Sequence, residues 1–165
     1  MQTVEIKNRK IGQGMPKICV PLIGRTDEDL LKGADEILSV AEEYGIDIVE
    51  FRGDYYERLN EYATLKNIME KLKEKFSDII FLFTIRSYSE GGERLSFDTP
   101  DVNTINRFVV KNKLADIVDV ELFSGEEECK NLIDLAKENQ VKIIMSNHDF
   151  NTTPSVDELV KRLRM

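Results

Sequence analysis

The stretch "DIIFLFTIR", Asp78 to Arg86, is apolar through its middle and too short for a typical helix. Ile and Phe favour β-strands, and apolar side chains follow one another here without the alternation expected of a strand with one face in water. The pattern therefore predicts a strand of a parallel sheet that is covered on both faces, with Arg86 at its carboxyl end.

Four more stretches have the same character, and segments with helical periodicity separate all of them. These strands are predicted in "KICVPLIG" from Lys17, "IDIVEFR" from Ile46, "ADIVDVELF" from Ala115 and "VKIIMSN" from Val141. The helical segments have recognisable starts, because "TDED" at Thr26 and "SGEE" at Ser124 resemble capping boxes, while Pro100 and Pro154 suit a first helical position. The chain is therefore predicted to contain five consecutive βα units of about thirty residues each.

Nothing in the sequence marks a domain boundary. No linker, low-complexity tract or charge block interrupts the units, so residues 1–165 are expected to form a single α/β domain. At the start of the chain, "TVEI" and "RKIG" lie on either side of "KN" and predict a hairpin. We expect this N-terminal hairpin within about residues 1–14 and the βα units over about residues 15–165.

Composition excludes several classes of protein. With 41% hydrophobic and 33% charged residues, the chain is typical of a soluble globular domain. Its net charge of -8 argues against a nucleic-acid partner, because such proteins need a basic face. Cys19 and Cys129 lack the spacing of a metal site and are interpreted as free thiols in a reducing compartment. No signal segment or membrane-spanning stretch is found, so we expect a cytoplasmic protein without a membrane partner.

Charged side chains are predicted to gather at the carboxyl ends of the strands, where parallel α/β folds place their chemistry. Glu50 and Arg52 are two residues apart and point to the same side of their strand, so an ion pair between them can hold the guanidinium ready for a ligand. The alternative is a structural salt bridge that closes the top of the core. Arg52 and Arg86, at neighbouring strand ends of an acidic protein, favour an anionic ligand.

His148, in "MSNHDF", is the only histidine in the chain and follows the fifth predicted strand. It is either a core residue with satisfied hydrogen bonds or a titratable group at the mouth of a site. Of its neighbours, Asp149 can orient the chain, while Ser146 and Asn147 can satisfy backbone groups at the strand end. Both interpretations of His148 are open on this pattern alone.

The loop "RSYSEGGERLS", which follows the strand ending at Arg86, carries charges and two glycines. Gly91 and Gly92 allow the loop to bend back over the strand ends, which can bring Glu90 close to His148. A carboxylate beside an imidazole fixes its tautomer and suits it to general acid and base work. The alternative is that the charges of this loop are simply solvated.

Four motifs occur in order along the chain: "VEFRGDYY", "FTIRSYSEGGE", "DVELF" and "IIMSNHDFNTTP". Together they resemble the consecutive motifs of type I 3-dehydroquinate dehydratase, the Schiff-base-forming lyase of the shikimate pathway of aromatic amino acid biosynthesis. The resemblance runs from "MPKICVPLIG" at Met15 to "VDELVKRLR" at the end of the sequence. It implies a (βα)8 TIM barrel that converts 3-dehydroquinate, a small-molecule substrate, to 3-dehydroshikimate without a metal or organic cofactor.

The resemblance also implies roles for particular residues. His148 would be the general base and acid, and Glu90 would orient it. The hydroxyls and carboxylate of the substrate would be positioned by Glu50, Arg52 and Arg86. In the family, a lysine forms an imine with the substrate ketone, and its positive nitrogen accepts the electrons left by proton removal.

A barrel of this kind takes about 250 residues, so the resemblance implies that this chain covers the hairpin and about five of the eight units. The family's lysine lies in a "KIAVMP"-like motif, which this sequence lacks, and its own lysines fall in the hairpin, in helices or at strand starts. We therefore expect an incomplete barrel that is inactive alone and self-associates, for example as a homodimer, through open sheet edges.

A second hypothesis comes from another class of protein. The chain would be a non-catalytic α/β module, re-closed as an open flavodoxin-like sheet, that binds a carboxylate ligand or a complementary fragment.

Overall fold

The structure, a computed structural model, describes residues 3–95 and 99–165, so the first two residues of the predicted hairpin segment and Ser96 of the quoted loop lie outside the described residues. Within these ranges strands and α-helices follow one another along the chain in this order: β1 (Val4–Ile6), β2 (Arg9–Ile11), β3 (Ile18–Leu22), α1 (Asp27–Tyr44), β4 (Ile46–Arg52), α2 (Tyr62–Lys75), β5 (Ile80–Thr84), α3 (Thr99–Lys111), β6 (Ile117–Glu121), α4 (Glu126–Asn139), β7 (Lys142–Ser146) and α5 (Val156–Arg162). None of the described helices combines the length and the apolar character needed to cross a membrane.

The strands form a two-stranded hairpin and one parallel sheet. β1 and β2 pair antiparallel, which confirms the predicted hairpin. The other strands pair in parallel in the order β3-β4-β5-β6-β7, and each is followed by a helix, which confirms the predicted βα units. A flavodoxin-like sheet reverses its strand order near the start, whereas this sheet runs in sequence order as a barrel wall does. The flavodoxin-like arrangement is therefore wrong.

The apolar core lies mainly between the sheet and its helices. On this outer face, strand residues such as Phe51, Phe81 and Val118 pack against helix residues such as Leu65 and Leu132. A smaller cluster on the inner face joins β4, β5 and β6 to the hairpin, and its buried members are Ile6, Ile48, Ile80, Leu82 and Ile117. The hairpin therefore closes the amino ends of the central strands and leaves their carboxyl ends for other residues.

The outer strands of the sheet differ from the central ones. β5 is buried along its whole length, as its sequence predicts. The prediction of cover on both faces is wrong for β3 and β7, where Ile18 is 47% exposed and Ile144 is 38% exposed. Each of these strands has a sheet neighbour on one side only, so its apolar character does not lead to burial.

Of the predicted helix starts, the one at Thr26 is confirmed. The Thr26 hydroxyl accepts a hydrogen bond from the backbone N–H of Asp29 at 3.2 Å, and the Asp29 carboxylate accepts one from the N–H of Thr26 at 3.1 Å. The capping box at Ser124 is wrong, because α4 is capped by Gly125 and the Ser124 hydroxyl donates to the carbonyl of Glu121 instead.

The two prolines are also displaced from the predicted first helical position. Pro154 precedes α5, which begins at Val156 with Ser155 as its cap. α3 begins at Thr99, one residue before Pro100, so Pro100 lies in the first turn, where a missing N–H leaves no helical hydrogen bond unmade.

Candidate active site

The inner face of the sheet changes from apolar to polar towards the carboxyl ends of its strands. Because side chains alternate along a strand, every second residue faces inward. These inward positions read Ile48, Glu50 and Arg52 in β4; Leu82, Thr84 and Arg86 along β5 and its end; and Ile117, Asp119 and Glu121 in β6. The apolar positions belong to the inner cluster near the hairpin. The polar positions form the floor of the candidate site at the carboxyl ends of the strands.

Arg86 is at the centre of this polar region, and its side chain is only 8% exposed. Its Nη2 atom donates to the carboxylate of Asp119 at 3.0 Å. Its Nη1 atom donates to the carboxylate of Glu121 at 3.2 Å and to the hydroxyl of Ser146 at 2.8 Å. Asp119, Glu121 and Ser146 come from strand ends, as predicted, but their convergence on Arg86 was not recognised from the sequence. The arginine joins three neighbouring strand ends through charge-assisted hydrogen bonds.

Burial sets the protonation behaviour of Asp119. It raises the pKa of Asp119 above the ordinary value, although Arg86 and the hydroxyl of Ser146 act in the opposite direction. The Ser146 hydroxyl donates to the same carboxylate oxygen of Asp119 at 2.7 Å. Arg86 therefore favours the ionised form of Asp119, which burial disfavours.

Arg52 is also oriented by a carboxylate, but not by the predicted one. Its Nε and Nη2 atoms donate to the two carboxylate oxygens of Asp54 at 2.9 Å and 2.7 Å, which raises the pKa of Arg52. The predicted ion pair with Glu50 is wrong. Asp54 also accepts from the backbone N–H groups of Arg86 and Glu93. Its position two residues after Arg52, in "VEFRGDYY", was a signal that the sequence analysis missed.

The carboxylate of Glu50 is left without a hydrogen bond or ion pair to any residue in the described ranges. It is close enough to Cys19 to act on its thiol, whose pKa is raised to about 11 by burial first and by the charge of Glu50 second. Glu50 also raises the pKa of Asp119. Glu50 is therefore a hydrogen-bond acceptor on the inner face whose carboxylate has no partner in the described part of the chain.

His148 and Glu90, which are 58 residues apart in sequence, meet at the carboxyl edge. One oxygen of Glu90, Oε2, lies 3.0 Å from His148 Nδ1 and accepts the backbone N–H of His148 at 2.8 Å. The predicted contact is confirmed, and because Glu90 is buried, the solvated alternative is wrong for this residue. A carboxylate only accepts hydrogen bonds, so this contact favours the tautomer with the proton on Nδ1 and the lone pair on Nε2.

The loop after β5 brings Glu90 into this position through its two glycines. Gly91 has a φ of 86°, and a Cβ there would lie 2.5 Å from the ring of Phe150. At Gly92 a Cβ would lie 2.0 Å from the carbonyl oxygen of Arg86. Only glycine fits both positions, so the prediction that the loop bends back over the strand ends is confirmed.

The residues around His148 do more than satisfy the backbone. Asn147 donates from its side-chain amide to Glu90 Oε1 at 2.9 Å. Asp149 orients the chain as predicted, because its carboxylate accepts from the N–H groups of Asn151 and Thr152, and these bonds lower its pKa. His148 itself is partly open to solvent and stacks near the ring of Phe150.

A cavity of about 390 Å³ adjoins Glu90 at the carboxyl ends of β5 and β6. Its lining includes Tyr88, Asn106, Asp119, Glu121 and Phe123. Although several carboxylates converge here, no group of three or more His, Cys, Asp and Glu side chains among residues 3–95 and 99–165 is arranged to hold a metal ion. Cys19 and Cys129 are free thiols, as predicted.

Comparison with known proteins connects this arrangement with one family. The family model for type I 3-dehydroquinase matches residues 18–165. The 3-dehydroquinate dehydratase of Clostridioides difficile (strain 630) is 41% identical over 160 residues, which are 97% of this chain and 61% of the relative. That of Bacillus subtilis (strain 168) is 39% identical over 164 residues, which are 99% of this chain and 62% of the relative.

Solved structures agree with the sequence relatives. The type I 3-dehydroquinate dehydratase from Clostridium difficile, with covalently modified comenic acid, superposes with a TM-score of 0.91 at 40% identity, over 98% of this chain and 62% of that one. The enzyme from Enterococcus faecalis gives a TM-score of 0.90 at 36% identity, over 98% of this chain and 65% of that one. The chain thus spans about three fifths of the length of these relatives, and it belongs to the type I 3-dehydroquinase family.

Proposed function

We propose that this chain supplies the acid–base pair and part of the substrate site of a 3-dehydroquinate dehydratase, a lyase that converts 3-dehydroquinate to 3-dehydroshikimate. The observation that carries the proposal is the 3.0 Å contact between Glu90 and His148, at the carboxyl edge where Arg52 and Arg86 also lie, in a chain of this family. The reaction belongs to the shikimate pathway, and the family members are Schiff-base enzymes.

His148 is the proposed general base and acid. Its Nε2 lone pair takes the proton from the carbon beside the imine, and the electrons of that C–H bond move towards the imine nitrogen. They then return to form the carbon–carbon double bond as the carbon–oxygen bond breaks. The proton held by His148 leaves with the hydroxyl as water. Glu90 keeps the Nδ1 proton in place throughout, so the same nitrogen acts in both steps.

Arg52, Arg86 and Glu50 are the proposed substrate-positioning residues. Arg52 uses its Nε and Nη2 donors on Asp54, so its Nη1 donors are left for an anionic or hydroxylated ligand. Arg86 uses Nη1 and Nη2 on its own partners, and its Nε donor is left in the same way. Glu50 offers an acceptor for a hydroxyl. A carboxylate with several hydroxyls, such as 3-dehydroquinate, matches this combination of donors and acceptor.

The 165-residue chain is proposed to hold the substrate without turning it over by itself. Imine formation needs an amine within bonding distance of the ketone, and positioning is worth several orders of magnitude in rate. All lysines of the sequence belong to the described residues, and they lie in the hairpin, in or next to helices, or at the starts of β3 and β7. None is at the carboxyl edge beside His148.

Self-association is a further part of the proposal. β3 and β7 each have a free edge in the described sheet, and Ile18, Ile144 and Met145 expose apolar surface beside those edges. Unpaired backbone groups along an apolar edge favour pairing with another chain. Sedimentation of the purified chain over a range of concentrations measures this association, and a single monomeric species throughout would contradict it.

Binding and turnover separate the parts of this proposal. We expect 3-dehydroquinate to bind the chain in titration calorimetry, and Arg52→Ala to weaken binding by about 1.5 to 3 kcal/mol, the range of a hydrogen bond to a charged group. Arg58→Ala is the matched control, since Arg58 pairs with Glu61 on the exposed surface. Equal binding by both variants would remove Arg52 from the site.

Turnover is followed through the ultraviolet absorbance of the conjugated product, and imine formation through borohydride trapping and intact mass. The chain alone is expected to give neither product nor adduct. Sustained product formation by the 165-residue chain would contradict the argument from its lysines.

A further inference from the structure

We propose that Asn147 and Arg162 are positioning residues for the Glu90–His148 pair. Arg162, on α5, fixes the orientation of the Asn147 amide, and that amide holds Glu90 so that one carboxylate oxygen is left for His148. The catalytic meaning of this arrangement rests on the function proposed for His148. The arrangement itself follows from the contacts alone.

Arg162 is held in place from three sides. Its Nε atom donates to the carboxylate of Glu158, one helical turn earlier, at 2.9 Å. Its guanidinium lies 5.4 Å from the centre of the Phe123 ring, in the range of a cation–π contact. Its Nη1 atom donates to Oδ1 of Asn147 at 2.6 Å. With its side chain 22% exposed, Arg162 is partly shielded from water, which strengthens these contacts.

The partners of Asn147 leave its amide only one satisfactory orientation. A guanidinium can only donate hydrogen bonds, and a carboxylate can only accept them. Because Arg162 lies on one side of Asn147 and Glu90 on the other, the oxygen must face Arg162 and the nitrogen must face Glu90. A flipped amide would present N–H groups to Arg162 and an oxygen to Glu90. Arg162 therefore turns Asn147 into a directed donor towards Glu90.

The same logic continues through Glu90 to His148. Oε1 of Glu90 accepts from Asn147 at 2.9 Å, while Oε2 accepts the backbone N–H of His148 at 2.8 Å and lies 3.0 Å from Nδ1 of its ring. Arg86 Nη1 is 3.8 Å from Oε2, too far for a hydrogen bond. Without the donor of Asn147, the carboxylate can rotate away from Nδ1. The population of the Nδ1–H tautomer, which leaves Nε2 free as the base, then falls.

α5 is thereby coupled to the candidate site. Arg162 lies near its carboxyl end, 15 residues after Asn147, and none of the residues of α5 is buried. Displacement of α5 would remove the Arg162 donor from Asn147 and so favour the Nε2–H form of His148. Docking of α5 is therefore a condition for the active tautomer.

Because His148 is the only histidine, chain labelled with ¹⁵N-histidine gives one set of ring signals, from which the tautomer ratio is measured without substrate. We expect wild-type protein to be mainly the Nδ1–H form when neutral. In Arg162→Gln the ratio of Nδ1–H to Nε2–H should fall about fivefold, which corresponds to about 1 kcal/mol, the net value of one hydrogen bond. Asn147→Asp, which keeps the shape and removes the donor, should lower it at least as much.

Two further variants separate positioning from general structural damage. Arg162→Lys keeps a donor for Asn147 and should give an intermediate ratio. Lys161→Gln removes a neighbouring charge that lies 3.9 Å from Glu158, and it should leave the ratio unchanged.

The proposal is overturned if wild-type protein is mainly the Nε2–H form, if neither Asn147→Asp nor Arg162→Gln changes the ratio, or if Lys161→Gln changes it equally. Backbone amide spectra of each variant verify the fold. Failure of the wild-type chain to bind 3-dehydroquinate would count against the proposed function instead, because the tautomer ratio is read without substrate.

Discussion

Replacing Arg86 with alanine is expected to destabilise the fold by about 3 to 5 kcal/mol, the cost of removing one partner from a buried ion pair. The side chain of Arg86 is 8% exposed, and those of Asp119 and Glu121 are 6% and 14% exposed. The variant therefore leaves two carboxylates with little access to water and without their counter-charge.

The contacts of Arg86 support this magnitude. The guanidinium makes two hydrogen bonds to carboxylates, at 3.0 and 3.2 Å, and one to a hydroxyl, at 2.8 Å. A hydrogen bond to a charged group contributes about 1.5 to 3 kcal/mol, but such contributions are not additive within one network. Removal of Arg86 also removes the cost of burying its own charge, which keeps the expected total below the sum of the bonds.

The destabilisation should depend on pH through Asp119. Burial raises the pKa of Asp119 in the folded protein above the ordinary value of 3.8, and Arg86 opposes this rise. An acid with a raised folded pKa takes up protons on folding, so its contribution to stability is present below the unfolded pKa and is lost as pH rises through the folded pKa. Without Arg86 the folded pKa rises further, and the deficit of the variant should shrink as the pH falls through that folded pKa.

Urea unfolding of wild type, Arg86→Ala and the double variant Arg86→Ala, Asp119→Asn at two pH values measures this. The double variant should recover part of the loss at neutral pH and show less pH dependence. Arg58→Ala is the exposed control, and its ion pair with Glu61 is expected to contribute at most about 1 kcal/mol. A loss for Arg86→Ala no larger than that of the control, or a loss independent of pH, would refute the reasoning.

Three other predictions concern single groups. Thr84→Val should be neutral or stabilising in urea unfolding, because the buried Thr84 hydroxyl has no hydrogen-bond partner among residues 3–95 and 99–165. A loss above about 1 kcal/mol would reveal a partner. Cys19, with its pKa at about 11, should react with iodoacetamide at pH 8 far more slowly than a free cysteine, and Glu50→Gln should speed the reaction. Intact mass over time measures both rates, and a rate equal to that of free cysteine would contradict the raised pKa. In a form that includes the family's imine-forming lysine and turns over 3-dehydroquinate, His148→Ala should reduce kcat by about 100-fold to 10,000-fold, while borohydride still traps an imine. Near-normal turnover of that variant would return His148 to a structural role.

Features that depend on neighbouring residues in the chain were predictable from the sequence. The run "IDIVEFR" coincides with β4 residue for residue. It was predictable because the apolar pattern of a buried strand extends over only a few neighbouring residues. The capping box at Thr26 is of the same kind, because its hydrogen bonds join residues three apart. The glycines of the loop after β5, together with the resemblance of the consecutive motifs, predicted that Glu90 and His148 meet at one edge.

Pairings between charges depended on the tertiary structure. Arg52 bonds to Asp54 rather than Glu50, because direction and distance at the end of β4 decide between two carboxylates that are equally near in sequence. Ser124 does not cap α4, because its hydroxyl reaches the carbonyl of Glu121 first.

The sequence by itself thus determined the order of strands and helices and the edge at which the charged residues gather, because strand periodicity and the alternation of side chains are local properties. Only the tertiary structure decided which groups share a proton or a charge. The contact between Arg162 and Asn147, and that between Arg86 and Asp119, each join residues far apart along the chain, and an electrostatic contact depends on ångström distances that no spacing in sequence records.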